Sequence, residues 1–369
     1  MTAPRIEVDL AKVGHNATTL TERLSRRGIA VTGVTKAFLG DPAIAGVLTD
    51  AGVAGLGDAR IESIEAMRRA GVPGPMTLLR SPMASQVDRV VHHADTSLAT
   101  EPATLALLSA AAQAQGRVHG VVLMVELGDL REGVMPGDLP GLVDVAERLP
   151  NIVLRGIGTN LACRSGVVPD DVNMGQLSQL AAAVEKDIGR PLDLVSGGNS
   201  AALEWALGGT DVGRVTNLRL GEAILLGRET LHRRPIPGLH TDAFTIVAEV
   251  IESRTKPSLP WGRIAQAAFG QPSSVAGANG HTTTVVQSIL AIGRQDVDAD
   301  GLVPPPGVEL LACSSDHLVA STDHVLPVGT EVAFQPDYSA LLRAMTSPFV
   351  ATRIIAPPAV RPLVPTPAP

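Results

Sequence analysis

Reactive side chains in this chain follow short apolar runs that have the composition of buried β-strands. Lys36 follows the run at residues 31–34 after one intervening residue, and Arg219 lies within the run at residues 215–220. A lysine at the end of a buried strand is poorly solvated, so its amine loses a proton more easily and becomes a nucleophile for a carbonyl carbon. A single lysine of this kind is more often a surface residue whose side chain reaches solvent.

A glycine-rich motif, Ser-Gly-Gly-Asn-Ser at residues 196–200, has the composition of a phosphate-binding loop. Its glycines let backbone N–H groups approach an anion, and Asn199 and Ser200 add side-chain donors ahead of a helical segment. The same residue types also form ordinary turns and helix N-caps. Together with Lys36, the motif indicates a site for a phosphorylated aldehyde held as a Schiff base. Pyridoxal 5′-phosphate (PLP) is the natural candidate.

The elements that must position these residues alternate between strand and helix. Segments rich in Ala, Leu, Glu and Arg at helical spacing separate the apolar runs. Such alternation predicts an α/β fold, a (β/α)₈ TIM-type barrel, in which reactive groups sit at the carboxyl ends of the strands. A doubly wound open sheet would alternate in the same way, but no Gly-x-Gly-x-x-Gly follows the first strand. The eight runs are residues 31–34, 53–56, 76–79, 96–98, 121–125, 153–157, 192–195 and 215–220.

The pattern changes near residue 230, where we place the end of a barrel domain at residues 1–230. Residues 231–356 are predicted to form a mostly-β domain whose strands are separated by Pro/Gly turns and one helix at 339–345. Residues 1–10 are expected to pair with this second domain. Residues 357–369 are rich in proline and should be disordered. The predicted strands are 244–251, 282–292, 308–313, 318–321 and 331–334.

Composition excludes several classes of partner. The formal net charge is −7, from 37 acidic and 30 basic residues without a basic run, which argues against nucleic acid and anionic membranes. The two cysteines cannot form a disulfide framework and fit a reducing compartment. No signal peptide or apolar run of about 18 residues is present, so a cytoplasmic protein is expected. A single tyrosine, Tyr338, excludes any mechanism that needs several.

Seven motifs, in this order and spacing, make the chain resemble the alanine racemase family of PLP enzymes (fold type III), and within it the amino-acid and ornithine racemase branch. The resemblance extends over more than 300 residues and implies a PLP-dependent amino-acid racemase, with ornithine or another basic amino acid as substrate. The motifs are Val-Thr-Lys at 34–36, Gly-Asp-Leu-Arg-Glu-Gly at 128–133, Ser-Gly-Gly-Asn-Ser at 196–200, Arg-Leu-Gly-Glu at 219–222, Gly-Arg-Gln-Asp at 293–296, Ser-Ser-Asp-His at 314–317 and Ala-Met-Thr-Ser-Pro at 344–348.

The resemblance also implies roles for individual residues. Lys36 would bind the cofactor as a Schiff base and act as one of two proton-transfer bases. Arg219 would face the pyridine nitrogen and, since arginine does not readily give up a proton, keep that nitrogen unprotonated. Arg131 would bind the substrate carboxylate through its bidentate fork, and Ser315 is the second residue implied to bind the substrate. The other residues implied to bind the cofactor are Asn160, Asn199, Ser200, Gly221, Glu222 and Tyr338.

Departures from the family concern the second proton-transfer base, which in alanine racemases is a tyrosine from the partner subunit. Phe269 stands at the corresponding position here, and phenylalanine cannot carry a proton. Arg294 and Met124 replace another tyrosine and the carbamylated lysine of the family. The candidates for the second base are Cys313, Asp316 and His317, each able to carry a proton near neutral pH once its environment is tuned, with Tyr338 as a fallback.

Other activities remain open at this stage. A decarboxylase or lyase on the same fold would keep the cofactor and break another bond. A non-catalytic PLP-homeostasis protein would resemble the barrel alone, and a barrel enzyme without PLP is the last alternative. If the second domain completes the site of the opposite subunit, activity needs a head-to-tail homodimer. An amine-ended substrate would need a carboxylate, for which the candidates are Glu126, Asp129, Asp296 and Asp316. No set of residues with metal-ligand spacing accompanies them.

Overall fold

The computed structural model describes residues 2–263, 265–266, 269 and 283–355. The chain forms two compact units, one of Leu10–Ala243 and one of Met1–Asp9 with Phe244–Pro369. The first unit ends at Ala243, later than the predicted boundary at residue 230, because the first helix of the chain contacts the segment that follows residue 230. His15 Nε2 lies 2.9 Å from the carbonyl oxygen of Gly238, and Asn16 donates to His240. Residues 231–243 therefore belong to the first unit.

The first unit contains a closed barrel of eight parallel strands, as the alternating sequence pattern predicted. The chain begins with β1 (Arg5–Asp9), which belongs to the other unit. The barrel strands follow as β2 (Ala30–Val34), β3 (Gly55–Asp58), β4 (Met76–Leu78), β5 (Thr96–Ala99), β6 (His119–Met124), β7 (Ile152–Gly158), β8 (Leu194–Ser196) and β9 (Asn217–Leu220). The helices between and after them are α1 (Leu10–Ser25), α2 (Pro42–Asp50), α3 (Ile61–Arg69), α4 (Val87–His93), α5 (Pro102–Ala114), α6 (Leu139–Arg148), α7 (Asp171–Ile188), α8 (Leu203–Leu207) and α9 (Glu222–Leu226).

Local sequence accounts for the ends of these helices. Asp41 caps α2 by accepting from the backbone N–H groups of Ala43 and Ile44, and Pro42 occupies the first helical turn. Asp170 begins α7 with a capping box, and Gly189 ends it with φ of 70°, a left-handed conformation that glycine adopts without strain. Leu98 on β5 and Val122 and Met124 on β6 are buried together in one apolar cluster. The apolar residues within the barrel and the capped helices around it together fix the positions of the carboxyl ends of the strands.

The second unit is mostly β, as predicted. A sheet runs in the order β12 (Leu302–Val303), β15 (Glu331–Pro336), β10 (Phe244–Pro257), β11 (Thr284–Leu290), β14 (Leu318–Thr322) and β13 (Val308–Cys313). Strand β1 pairs antiparallel with β10 and parallel with β16 (Ala351–Ile355). The helix, α10 (Tyr338–Thr346), is capped by Asp337, which accepts from the N–H of Ala340.

Two short strands in this unit, β12 and β16, have no counterpart in the sequence prediction. Both pair with distant segments, and their short runs contain little alternation of their own. The expected disorder of residues 357–369 lies outside the described residues. Among the described residues, no helix is both long and apolar enough to cross a lipid bilayer.

Candidate active site

Lys36 lies just beyond the carboxyl end of β2, where it begins a 3₁₀ turn, Lys36–Phe38. The preceding residue, Thr35, ties this turn to the neighbouring strand. Its backbone N–H donates to Gly57 at 2.9 Å, and its hydroxyl donates to Asp58 Oδ2 at 2.6 Å. Asp58 is completely buried, and burial raises the pKa of its carboxyl above the usual range. The backbone of Lys36 is thus fixed by a buried side-chain pair.

The side chain of Lys36 itself is exposed. A strand-end position therefore does not leave Lys36 poorly solvated in this chain, contrary to the expectation from the sequence. Buried residues flank it, since Thr35 is 0% and Ala37 is 1% exposed, while Lys36 itself lies in the 3₁₀ turn. The reason is local: the 3₁₀ turn begins one residue after Thr35, so Lys36 has already left the strand.

Arg219, on β9, is a buried cation that is 6% exposed. Its Nη1 donates to Ser196 Oγ at 2.5 Å, and its Nη2 donates to the carbonyl of Thr159 at 3.0 Å and to Asn160 Oδ1 at 3.2 Å. Burial lowers the pKa of Arg219 to about 10, so the group stays charged at neutral pH. Within the described part of the chain no carboxylate forms a salt bridge with it. A guanidinium whose partners are all neutral can still donate a hydrogen bond to a further neutral acceptor.

Asn160 and Asn199 extend this network across the ends of β7 and β8. Asn160 Oδ1 accepts from Arg219 and also from Asn199 Nδ2, the latter at 3.2 Å. Two donors on one oxygen fix the orientation of the amide. Asn160 is 8% exposed, and its Nδ2 is buried without a hydrogen-bond partner. A buried unpaired donor is costly, so this atom marks a place where a ligand acceptor belongs.

The Ser-Gly-Gly-Asn-Ser loop adjoins the end of β9. The backbone N–H of Arg219 donates to Gly198 at 2.8 Å, and Ser200 Oγ accepts from the N–H of Ala223 at 3.3 Å. Gly198 has φ of +114°, which favours glycine. A Cβ at Gly221 would lie 3.2 Å from Val34 Cβ, at the end of the strand that leads to Lys36. The structure thus brings the end of β2, Asn160, Asn199, Ser200, Arg219 and Gly221 to one rim of the barrel.

Glu222 and Arg131 have partners that the sequence did not indicate. The carboxylate of Glu222 forms an ion pair with Arg233. The guanidinium of Arg131 uses Nε and Nη2 to bind the carboxylate of its neighbour, Glu132. Arg131 is exposed, so its bidentate fork is able to exchange Glu132 for the carboxylate of a substrate.

Glu126 and Asp129 hold the loops at this rim. Glu126 accepts from the backbone N–H groups of Gly128 at 2.6 Å and Arg131 at 3.1 Å. Asp129 is completely buried and accepts from four N–H groups of residues 163–167. Burial acts to raise the pKa of Asp129, but these N–H groups outweigh it and the net pKa is lowered. Both carboxylates are therefore committed to the backbone and are poor candidates for binding a substrate amine.

The remaining sequence candidates lie in the second unit, where two of the motifs meet. The backbone N–H of Arg294 donates to Ser314 at 2.9 Å, and the Arg294 guanidinium lies 5.5 Å from the centre of the Phe269 ring. Cys313 is the last residue of β13, and Ser315, Asp316 and His317 lie in the turn that leads to β14. Tyr338 is the first residue of α10.

The chemistry of this turn favours some candidates over others. Asp316 Oδ1 lies 2.8 Å from His317 Nδ1, and the pair holds the pKa of the Asp316 carboxyl below its usual range. Burial raises the pKa of the Cys313 thiol, which makes Cys313 a poorer base at neutral pH. Asp296 is buried and accepts from Ser347 Oγ at 3.1 Å. No group of three or more metal-ligating side chains occurs in the described residues.

Three residues to which the sequence assigned no such role are prominent here. Asp58 supports the Lys36 turn, and Asp129 was considered only as a substrate ligand. Cys163 was used only to infer the redox compartment, yet it lies three residues after Asn160 and its Sγ is 3.5 Å from Asn199 Nδ2. Its place in the loop that follows a barrel strand was the available signal.

Comparisons with known proteins identify the family. The family model described as alanine racemase, N-terminal domain, matches residues 8–229. A lysine racemase of Thermotoga maritima is 38% identical over 354 residues, 95% of this chain and 98% of that protein. An ornithine racemase of Acetoanaerobium sticklandii is 34% identical over 357 residues, 95% of this chain and 99% of that protein. The alanine racemase of Streptomyces coelicolor shares the fold, with a TM-score of 0.74 at 18% identity over 95% of this chain and 97% of that one. The chain therefore belongs to the alanine racemase family, and its class is that of the amino-acid racemases.

Proposed function

We propose that this protein is a PLP-dependent racemase that inverts Cα of a basic amino acid, lysine or ornithine. The observation that carries the proposal is Arg219, a buried cation whose described partners are neutral oxygens. The relatives of 34–38% identity, which are named as lysine and ornithine racemases, support the substrate class.

The residues at the barrel rim fit PLP. Arg219 is a charged donor suited to the lone pair of an unprotonated pyridine nitrogen, and the buried Nδ2 of Asn160 beside it needs an acceptor. Lys36 supplies an exposed amine for the aldehyde carbon. Asn199, Ser200 and the backbone at Gly221 would hold the phosphate, and Tyr338 is the further phosphate ligand that the family resemblance implies. When bound, PLP withdraws electrons from the substrate and makes its Cα proton acidic.

The other steps fall to the side chains of this protein. Arg131 would bind the substrate carboxylate in place of Glu132 and so fix the direction of the Cα–H bond. Arg219 stays charged and leaves the ring nitrogen unprotonated, which weakens the electron sink and favours return of a proton to Cα over transamination. Lys36 Nζ would move the proton on one face of Cα.

The distal amine of the substrate needs a carboxylate with an accessible oxygen. Glu126 and Asp129 are committed to backbone N–H groups, and Asp296 is buried. Asp316 is the remaining candidate from the sequence, since its side chain is exposed and its lowered pKa keeps it charged. We propose that Asp316 binds the distal amine of the substrate. We also propose a homodimer in which the second unit of each subunit completes the active site of the partner subunit. The proposed location is the cytoplasm.

The test is incubation of the purified protein with PLP and each L-amino acid in deuterated water. The expected result is a visible absorbance band and D-lysine or D-ornithine that carries deuterium at Cα. Lys36→Ala should lose both the band and the product, whereas Lys186→Ala, at an exposed position on α7, should keep both. Release of an amine or an aldehyde in place of a D-amino acid would overturn the racemase proposal, and a colourless wild-type protein would overturn PLP. Sedimentation tests the dimer, since a fully active monomer contradicts it.

A further inference from the structure

We propose that Cys163 is the second proton-transfer residue of this racemase, acting on the face of Cα opposite to Lys36. The inference rests on the proposed function, because it concerns the same site. It replaces the three candidates of the second unit with a residue of the barrel itself.

The position of Cys163 at the rim is well defined. It follows β7, and its backbone N–H donates to Asp129 Oδ2 at 3.0 Å, so a buried carboxylate fixes the loop. Its Sγ lies 3.5 Å from Asn199 Nδ2, the atom that also contacts Asn160 Oδ1 at 3.2 Å. The side chain is exposed and forms no disulfide. A thiol is therefore presented to solvent within the hydrogen-bond network proposed to hold the cofactor.

A second observation indicates that a ligand belongs beside this thiol. Asn160 is 8% exposed, and its Nδ2 has no partner although the rest of the amide is engaged. Asn160 and Cys163 share one donor, Asn199 Nδ2, so the unpaired amide and the thiol lie in one cluster. A ligand that satisfied Asn160 Nδ2 would therefore join the cluster that contains Cys163.

Arg219 brings a positive charge into the same network, since its Nη2 donates to Asn160 Oδ1 at 3.2 Å, the oxygen that also accepts from Asn199 Nδ2. A thiolate is the form of a cysteine that accepts a proton. Cys313, the other cysteine, has a thiol pKa raised by burial.

The barrel places Cys163 and Lys36 on different sides of its mouth. Strand β2 adjoins β9, β9 adjoins β8 and β8 adjoins β7, so three strand-to-strand steps separate Lys36 from the loop with Cys163. Two proton carriers that approach a bound molecule from different sides are what inversion at Cα requires.

The proton balance closes with these two groups. In one direction the thiolate takes the Cα proton, the C–H bond breaks and an S–H bond forms, while the electron pair stays with the substrate. The ammonium of Lys36 then delivers its proton to the opposite face. The enzyme is left with a thiol and a neutral amine, which is the form that serves the reverse direction, and exchange with water restores the first form.

The test compares Cys163→Ala, Cys163→Ser and Cys313→Ala in the full-length protein loaded with PLP. Cys163→Ala should slow racemisation by about 10²–10⁴-fold, the usual range for loss of a general acid–base group. It should keep the absorbance band and still exchange the Cα proton of one enantiomer with deuterated water, because Lys36 is intact. Cys163→Ser keeps an acceptor for Asn199 but should lose inversion as well. Cys313→Ala should behave as the wild type.

A second readout does not depend on turnover. In the Cys313→Ala background, iodoacetamide should alkylate Cys163, and D-lysine or D-ornithine with PLP should slow that reaction. Racemisation by Cys163→Ala within threefold of the wild-type rate would overturn the inference and leave the proposed function intact. Loss of the absorbance band in Cys163→Ala would also overturn it, since the role would then be structural. A wild-type protein that neither binds PLP nor racemises would instead overturn the proposed function.

Discussion

The Nη2 atom of Arg219 donates to Oδ1 of Asn160 at 3.2 Å, and the amide nitrogen of Asn160 is buried without a partner. Arg219 orients the amide of Asn160, and the amide nitrogen of Asn160 is left to donate to a ligand. Two donors side by side, one charged and one neutral, make this rim complementary to a ligand rich in acceptors.

Asn160→Asp should weaken PLP binding about tenfold or more. The change replaces the unpaired donor by a carboxylate oxygen and gives Arg219 a charged partner, so an interaction worth about 1–3 kcal/mol is lost. Absorbance titration with PLP measures the affinity. Asn151→Asp is the matched control, since Asn151 lies just before the other end of β7, where its side chain donates to Arg117. Unchanged affinity in Asn160→Asp would show that the amide nitrogen does not face the cofactor.

Asp58→Ala should destabilise the protein by about 1–3 kcal/mol, because the Thr35 hydroxyl and the Arg60 N–H lose a buried acceptor. Asp58→Asn keeps one oxygen and should cost less. Burial raises the pKa of Asp58 in the folded state above that of the unfolded chain. The wild-type protein therefore loses stability as the pH rises from the unfolded-state pKa of Asp58 to its folded-state pKa. The difference between wild type and Asp58→Asn, from urea unfolding, should therefore depend on pH. Asp50→Asn, at an exposed position, is the control.

His119 should make the folded protein sensitive to mild acid. Its ring is buried, Nε2 lies 2.8 Å from Ser97 Oγ, and burial lowers its pKa to about 4. The unfolded chain takes up a proton near pH 6.5, so stability present above that pH is lost as the pH falls to about 4, by up to roughly 3 kcal/mol. His119→Gln should flatten this part of the stability curve, and His324→Gln, at an exposed position, is the control. Equal slopes in wild type and His119→Gln would contradict the argument.

Asp129→Asn should loosen residues 163–167. The aspartate accepts from the N–H groups of Cys163, Arg164, Ser165 and Val167, and charge-assisted hydrogen bonds of this kind are worth about 1.5–3 kcal/mol each at most. Hydrogen exchange of these amides should accelerate, and racemisation should fall if Cys163 acts as proposed. Asp138→Asn is the control, since Asp138 is exposed and its side chain makes no cap hydrogen bond. Slow exchange retained in Asp129→Asn would mean that other contacts hold the loop.

Part of this site could be predicted from the sequence because strand ends and loops are read from local patterns. Lys36, Asn160, Asn199, Ser200 and Arg219 each follow or end an apolar run, and the barrel topology alone brings such positions to one rim. The roles of Asp58 and Asp129 could not be found in this way. Both carboxylates bind groups from other segments, and a hydrogen bond between distant loops leaves no periodic signal.

The sequence by itself determined the barrel and the mostly-β second unit. These depend on hydrophobic periodicity, on turn residues and on residue identity, all of which are local. Only the tertiary structure decided that Lys36 is exposed, that Arg219 is held by neutral oxygens and that Asn160 keeps an unpaired donor. Burial and hydrogen-bond satisfaction depend on which segments meet at the rim, and that is set by the closure of the whole barrel.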